Sequence, residues 1–277
     1  MLAFDFDYYK PSSMEEAVNQ FKVLKRTGKS PMYFSGGTEI ITLGRLNYLY
    51  ADSVIDIKSI PECCTMDFEH DNLYLGSAIT LAEIEGSDIF PLLSKVSSEV
   101  GDHTSRTKIT LGGNICGDIF YREAVLPFLL ADSVVFIAEE DGIQAYNINE
   151  IFNEELKKKE GDLLVQVVTE KKYVTAPHIT IKRQKQWESG YPVITASALK
   201  INSNVRVAIS GLCPFPFRSR EMEETLNNRS VSIDQRIKLA MTKLPEPILS
   251  DTEASDKYRL FVLSNVLHDI LQALEVS

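Results

Sequence analysis

Glycine pairs set inside apolar, β-prone stretches constrain this chain more than any other feature. The clearest is Gly112-Gly113, preceded by Thr110-Leu111 and followed by Asn114. Glycine weakens a strand, so a pair of them there marks a close backbone approach or a turn with positive φ. A hydroxyl, two glycines and a carboxamide in a row let several backbone N–H groups converge with no Cβ in the way, which is how a chain builds a concave nest for phosphate oxygens. The same residues also suit a tight β-turn with Asn114 in the left-handed region, and one such motif does not separate the two readings. A second stretch of the same chemistry stands upstream. Ser35-Gly36-Gly37-Thr38 follows the β-prone Met32-Tyr33-Phe34 and leads into the helical spacing of Ile40, Leu43 and Leu46. Two strand-to-turn glycine pairs predict one diphosphate held from two sides. Neither pair has the spacing of a Rossmann fingerprint or a Walker A loop.

Charge decides how such an anion could be held. The 277 residues carry a net charge of -10, which argues against nucleic acid or an anionic membrane as the main partner. A diphosphate must then be held by local backbone dipoles and hydroxyls. The length predicts two or three subdomains with their own cores. No apolar run is long enough for membrane insertion, and Met1-Leu2-Ala3-Phe4-Asp5 lacks a basic leader, so a cytoplasmic location is expected. Cys63, Cys64, Cys116 and Cys213 lack the spacing of iron–sulfur or zinc ligands, so neither is expected here. His70, His103, His178 and His268 are scattered and read as structural.

Taken in order, Ser12 and Glu15 predict a capping box for a helix whose buried face is Met14, Ala17, Val18, Phe21 and Leu24, ended by Gly28. Residues 53–57 read as a strand, and Ile60-Pro61-Glu62 closes a first unit over residues 1–60. A second unit over 61–170 holds strands at 73–76, 134–138 and 163–168, helices after Thr80 and Pro91, and Arg106 four residues before the second glycine pair. That arginine is either a surface cation or a partner of the anion nest. Residues 154–161 read as a solvated face and turn. The polar segment 170–176 reads as a linker into a C-terminal unit, 171–277. There Asn202-Ser203-Asn204 has hairpin chemistry, and Leu260, Leu263, Leu267, Ile270, Leu271 and Leu274 make one stripe of a final helix. Strands followed by helices indicate an α+β fold.

These residues together resemble the FAD-binding medium subunit of molybdenum hydroxylases, the family of the carbon monoxide dehydrogenase medium chain and the xanthine dehydrogenase FAD-binding subunit. The resemblance rests on Asp7-Tyr8-Tyr9-Lys10-Pro11, Ser35-Gly36-Gly37-Thr38-Glu39, Asp56-Ile57 with Ile60-Pro61-Glu62, Leu75-Gly76-Ser77-Ala78, and Arg106 with Thr110 to Asn114. It continues through Val205 to Gly211, Pro214 to Arg218 and Tyr258-Arg259. It implies two small α+β FAD-binding subdomains followed by a C-terminal domain with a three-stranded antiparallel sheet and a helical bundle. It also implies an FAD site built from Ser35, Gly36, Gly37, Thr38, Glu39, Arg106, Thr110, Gly112, Gly113, Asn114, Glu123 and Lys182, with Lys182 near the flavin end. Relatives carry a small residue, proline and a ribose-binding aspartate where this chain has Phe120-Tyr121-Arg122-Glu123, and Glu123 takes the aspartate's place by ungapped count. Gln186 and Trp187 stand where relatives often have arginine, and residues 188–192 also depart from the usual pattern.

The function implied is that of an electron-transfer subunit with no catalytic or metal-binding side chain of its own. A partner iron–sulfur small subunit would feed FAD, a large subunit would hold the molybdenum cofactor, and NAD+, oxygen or a quinone would accept the electrons. A free-standing FAD-dependent reductase or oxidase and a flavin-less structural subunit are the alternatives. The substrate of the whole enzyme would be chosen on another chain.

Overall fold

The structure, a computed structural model, describes residues 4–185 and 190–276. Its first unit is a parallel sheet. Strand β1 (Asp7–Tyr9) leads to helix α1 (Met14–Arg26), then come β2 (Pro31–Phe34), α2 (Thr38–Arg45) and β3 (Ser53–Asp56), with sheet order β1-β3-β2. The cap of α1 lies one residue later than expected. Ser13 accepts from the Glu16 N–H, and the Glu16 carboxylate accepts from the Ser12 N–H at 2.7 Å. Gly28 follows the helix at φ +80°, and the buried face is the expected one. Because the three strands run parallel, the loop after β2 and the loop after β3 emerge at the same carboxyl edge.

The second unit is wholly antiparallel. It comprises β4 (Met66–Glu69), β5 (Asn72–Gly76), α3 (Leu81–Ser87), α4 (Pro91–Ser98), α5 (His103–Arg106), α6 (Leu111–Cys116) and α7 (Leu126–Leu130). After these come β6 (Val134–Glu139), β7 (Gly142–Asn147), α8 (Ile148–Ile151), the two-residue strands β8 (Phe152–Asn153) and β9 (Glu155–Leu156), and β10 (Leu163–Glu170). The main sheet has the order β4-β5-β10-β6-β7. Central β10 serves two cores: Leu163 and Val165 pack with α1 of the first unit, while Leu164 and Val167 join the helices of the second. Alternation of side chains along a strand makes this possible, with a bulge between Leu164 and Gln166.

The third unit begins with α9 (Lys171–Val174), whose Tyr173 and Val174 are buried with Ala176 in the second core. The segment read as a polar linker is therefore a packed element, because its second half, Tyr173, Val174 and Ala176, is apolar and buried. Then follow β11 (His178–Gln184), β12 (Pro192–Ile201), β13 (Asn204–Ser210), β14 (Phe217–Arg218), α10 (Arg220–Leu226), α11 (Ile233–Ala240) and α12 (Asp256–Val276). Two-residue β14 adds a fourth strand to the expected three, in the order β11-β12-β13-β14. The β12–β13 turn places Asn202 at φ 48° and Ser203 at φ 68°, a two-residue hairpin loop that short polar side chains tolerate. One sheet face packs on α10 to α12, with Leu263, Leu267, Ile270, Leu271 and Leu274 buried, and Leu199 and Ala208 on the other face join the second core.

The second and third units are joined by charge as well as packing. Asp132, at φ 48° just after α7, accepts from Arg206 and from Arg218, each at 2.8 Å, and from Asn149 at 2.9 Å. Arg218 also makes a forked pair with Glu223 at 2.7 and 2.9 Å. Asp132→Ala is expected to lower the unfolding free energy by about 2–3 kcal/mol in urea denaturation. That is below the ~3–5 kcal/mol of a fully buried pair, since the Asp132 side chain is 23% exposed. Asp132→Asn tolerates the same backbone and is expected to lose less.

Candidate functional site

The first glycine pair turns β2 into α2. Gly37 holds φ 70° and precedes the helix with no side-chain cap. Among the described residues no acceptor takes the N–H groups of Gly36, Gly37, Thr38 or Glu39, so they converge unpaired at the positive end of the helix dipole. Ser35 Oγ beside them is buried without a partner among the described residues. A Cβ on Gly36 would stand 1.6 Å from the Lys108 carbonyl oxygen, and one on Gly37 would stand 2.2 Å from the Phe34 ring. The loop is thus pressed against the residues that lead to the second pair.

That second pair is neither a β-turn nor a cluster of free donors. Thr110 caps α6, and Gly112, Gly113 and Asn114 lie within the helix. Their N–H groups are spent inside the chain. Leu111 donates to Ile79 O and Gly112 to Ser77 O, both at 2.8 Å, Gly113 to Thr110 Oγ1 at 3.2 Å, and Asn114 to Thr110 O at 2.9 Å. Asn114 Oδ1 accepts from the buried Ala124 N–H at 3.1 Å. Gly112 is required by close approach, since a Cβ there would lie 2.6 Å from Ser77 Cβ. Gly113 is exposed, and its Cβ would meet only Thr110 Oγ1, at 2.9 Å. The second pair therefore exposes a side-chain-free surface at Gly113 alone, and the unpaired N–H groups belong to the first pair.

Glu39 ties the two together. Its Oε1 accepts from the N–H groups of Asp118 and Ile119 at 3.0 and 2.9 Å, just past α6. Burial raises its pKa above the usual carboxylate value, opposed by those two N–H bonds. Arg106 is turned elsewhere: it pairs with Glu85 at 2.7 and 3.2 Å and donates to the Val100 and Gly101 carbonyls, clasping α5 to α3 and α4. At 8% exposure, its guanidinium is spent on that clasp.

Lys182 and Glu123 come together in the fold. Lys182 donates to the Glu99 carbonyl at the end of α4. Glu123, 4% exposed, is held above the usual carboxylate range by burial, with the Lys182 charge opposing and the Glu99 charge adding to the shift. Lys182, Thr195 and Ser210 face one another in register across β11, β12 and β13, and the hydroxyls of Thr195 and Ser210 are buried without partners among the described residues. Tyr121, on the segment that departs from the family pattern, stacks on Tyr191 at 4.5 Å and 12°. Gln186, Trp187, Glu188 and Ser189 lie outside the described residues. Sequence reasoning missed Glu99, Thr195, Ser210 and Lys58. Lys58 donates to the Ser35 carbonyl at 2.9 Å, and the only signal for it was its place just after β3.

Residues 4–169 match the family described as the FAD binding domain in molybdopterin dehydrogenase. Among curated proteins, the chain is 27% identical over 241 residues to caffeine dehydrogenase subunit beta of Pseudomonas sp. (strain CBB1), covering 83% of this chain and 80% of that one. It is 25% identical to the nicotinate dehydrogenase FAD-subunit of Eubacterium barkeri, covering 57% and 54%. Among solved structures, carbon monoxide dehydrogenase from Hydrogenophaga pseudoflava lacking the Mo-pyranopterin moiety superposes with a TM-score of 0.86 at 17% identity, covering 99% of this chain and 98% of that one. Quinoline 2-oxidoreductase from Pseudomonas putida 86 gives 0.83 at 18%, covering 99% of each. At these identities the superpositions speak for the fold, which is the mixed α+β arrangement expected from the sequence.

The two glycine pairs should respond differently to a methyl group. Gly36→Ala must displace the Lys108 peptide and is expected to cost about 2 kcal/mol or more in urea denaturation, at the upper end for overpacking. Gly113→Ala disturbs only the Thr110 cap and should cost at most about 1 kcal/mol. For Glu123, a folded-state pKa raised by burial means that folding is disfavoured above that pKa and recovers as pH falls toward the unfolded-state value. Thermal unfolding of Glu123→Gln without added ligand should show a variant more stable than wild type at pH 8, with the gap closing as pH falls through the raised pKa. A gap that widens toward acid would contradict the burial argument.

Proposed function

The chain belongs to the family of FAD-binding domains of molybdopterin dehydrogenases, and on that premise we propose that it is the electron-transfer subunit of a multi-subunit molybdenum hydroxylase. The observation that carries the reading is the set of unpaired N–H groups at Gly36, Gly37, Thr38 and Glu39 beside the bare wall at Gly113. A diphosphate needs donors and close backbone approach, and the residues present fit it: the buried Ser35 hydroxyl is also without a partner.

In this reading Ser35, Gly36, Gly37 and Thr38 hold the phosphates, and Gly113 forms the surface they lie against, with buried Gly112 and Asn114 holding α6 in place behind it. Glu39 keeps α2 docked to the segment after α6. Glu123 offers a carboxylate acceptor to ribose hydroxyls, and Lys182 stands toward the ring. Arg106 supports the fold around this site through Glu85. Bound there, FAD supplies a carrier that takes electrons singly and gives them up as a pair. The chain's own residues bind it, orient it and exclude water.

The centres before and after the flavin belong to partners. Four cysteines without ligand spacing leave the iron–sulfur clusters to a small subunit and the molybdenum cofactor to a large one. The curated relatives are themselves named as subunits. NAD+ or another acceptor completes the route. No helix among the described residues is long and apolar enough to cross a membrane, in keeping with a cytoplasmic complex.

Titrating the purified full chain with FAD, read by flavin fluorescence and absorbance, is expected to give saturable binding at one site. Gly113→Val should weaken it at least tenfold, with the circular dichroism spectrum unchanged. A chain that takes up no FAD would overturn the reading. The FAD-loaded chain alone should turn over no purine, aldehyde or carbon monoxide with an artificial dye. Turnover of any of these without partners would replace the subunit by a free-standing flavoenzyme.

A further inference from the structure

Lys58 stands at the same carboxyl edge of the parallel sheet as the first glycine loop. Phe34 at the end of β2 is in register with Asp56 at the end of β3, and Lys58 follows two residues later. Its ammonium makes three contacts there. It donates to the Ser35 carbonyl at 2.9 Å and to Asp56 Oδ2 at 2.8 Å, and it lies 4.6 Å from the centre of the Phe34 ring. Asp56 is itself fixed, accepting from the Lys58 N–H at 3.0 Å and from the Tyr8 hydroxyl on β1. Its side chain is 4% exposed. Burial favours its neutral form, but the bonds from Lys58 and Tyr8 outweigh that and hold its pKa below the usual carboxylate value. The lysine is thus anchored by a rigid, charged partner.

The Ser35 carbonyl and the Gly36 N–H belong to one peptide. In a trans peptide these two groups point in opposite directions, so a bond that fixes the oxygen also aims the hydrogen. Gly36 on one side of this peptide lowers the cost of turning it over, because no Cβ at that residue opposes the change in φ. A positive charge on the oxygen also draws electron density from the peptide and strengthens the N–H as a donor. Gly36 is among the residues of this loop whose N–H has no acceptor among the described residues.

We propose that Lys58 is a positioning residue for the diphosphate: held by Asp56, it fixes the Ser35 carbonyl so that the Gly36 N–H points outward as an anion donor. This rests on the FAD reading above. It assigns Lys58 no contact with the flavin ring, so its effect should follow the diphosphate alone.

The test compares wild type, Lys58→Met and Lys58→Arg as full-length chains, measuring the dissociation constant of FAD by fluorescence and of ADP by competition against it. Lys58→Met is expected to weaken FAD and ADP by the same factor, tenfold or more, and Lys58→Arg to restore both to within about threefold of wild type. Urea unfolding without ligand shows whether the methionine variant still folds, and the arginine variant keeps the test decisive if it does not. FAD affinity unchanged in Lys58→Met would overturn the proposal. So would a loss confined to FAD with ADP unaffected, or a Lys58→Arg as weak as the methionine variant. A wild-type chain that binds no FAD would instead overturn the functional reading on which it rests.

Discussion

The carbonyl oxygen of Lys108 occupies the place where a side chain at residue 36 would begin, and this contact organises the site. It brings a loop of the parallel unit against the residues that enter α6 of the antiparallel unit, with no room for a side chain between them. Glu39 adds a second tie between α2 and the segment just past α6 through Asp118 and Ile119. Hydrogen bonds to a carboxylate are stronger than neutral ones, which suits a joint that must hold two separately folded sheets in one geometry.

The division of labour between the two glycine pairs follows from where their N–H groups go. At α6 the carbonyls of Ser77 and Ile79 reach the helix start and consume the donors of Gly112 and Leu111. At α2 no acceptor among the described residues takes the N–H groups of the first turn, and they stay unpaired. With a net charge of -10, the positive pole that α2 offers is a local one, set by its helix dipole and not by the overall field.

The C-terminal unit contributes to the same region through its sheet. The face of β11 to β13 that carries Lys182, Thr195 and Ser210 is held toward the second unit by Arg206 and Arg218 reaching Asp132. Buried hydroxyls without partners are costly, and a protein tolerates them where a ligand or a local rearrangement supplies the missing bond. Thr195 is in register with both Lys182 and Ser210, so the two hydroxyls without partners among the described residues lie together beside that lysine on one sheet face.

Local chemistry was legible in the sequence wherever one segment decides the outcome by itself. The buried face of α1, the hairpin at Asn202 and Ser203, the stripe of α12 and the strand-to-helix passage through Gly36 and Gly37 all depend on residues within a turn or two of each other. The second glycine pair was legible as a place of close approach but not as a helix. Two glycines cost about 1 kcal/mol each there, and only carbonyls some thirty residues earlier in the chain offset that. Arg106 has a partner, Glu85, 21 residues away, and the charge of Glu123 is set by burial and by Lys182 on another unit. Lys58 meets Ser35 only because β2 and β3 run parallel side by side. The sequence alone therefore determined the elements that a single segment settles, such as α1, α12, the hairpin at Asn202 and Ser203 and the turn at Gly36 and Gly37, since those follow from spacing and backbone freedom. Which N–H groups stay free, and which charges face them, was decided by the tertiary structure, because both depend on groups brought together from distant parts of the chain.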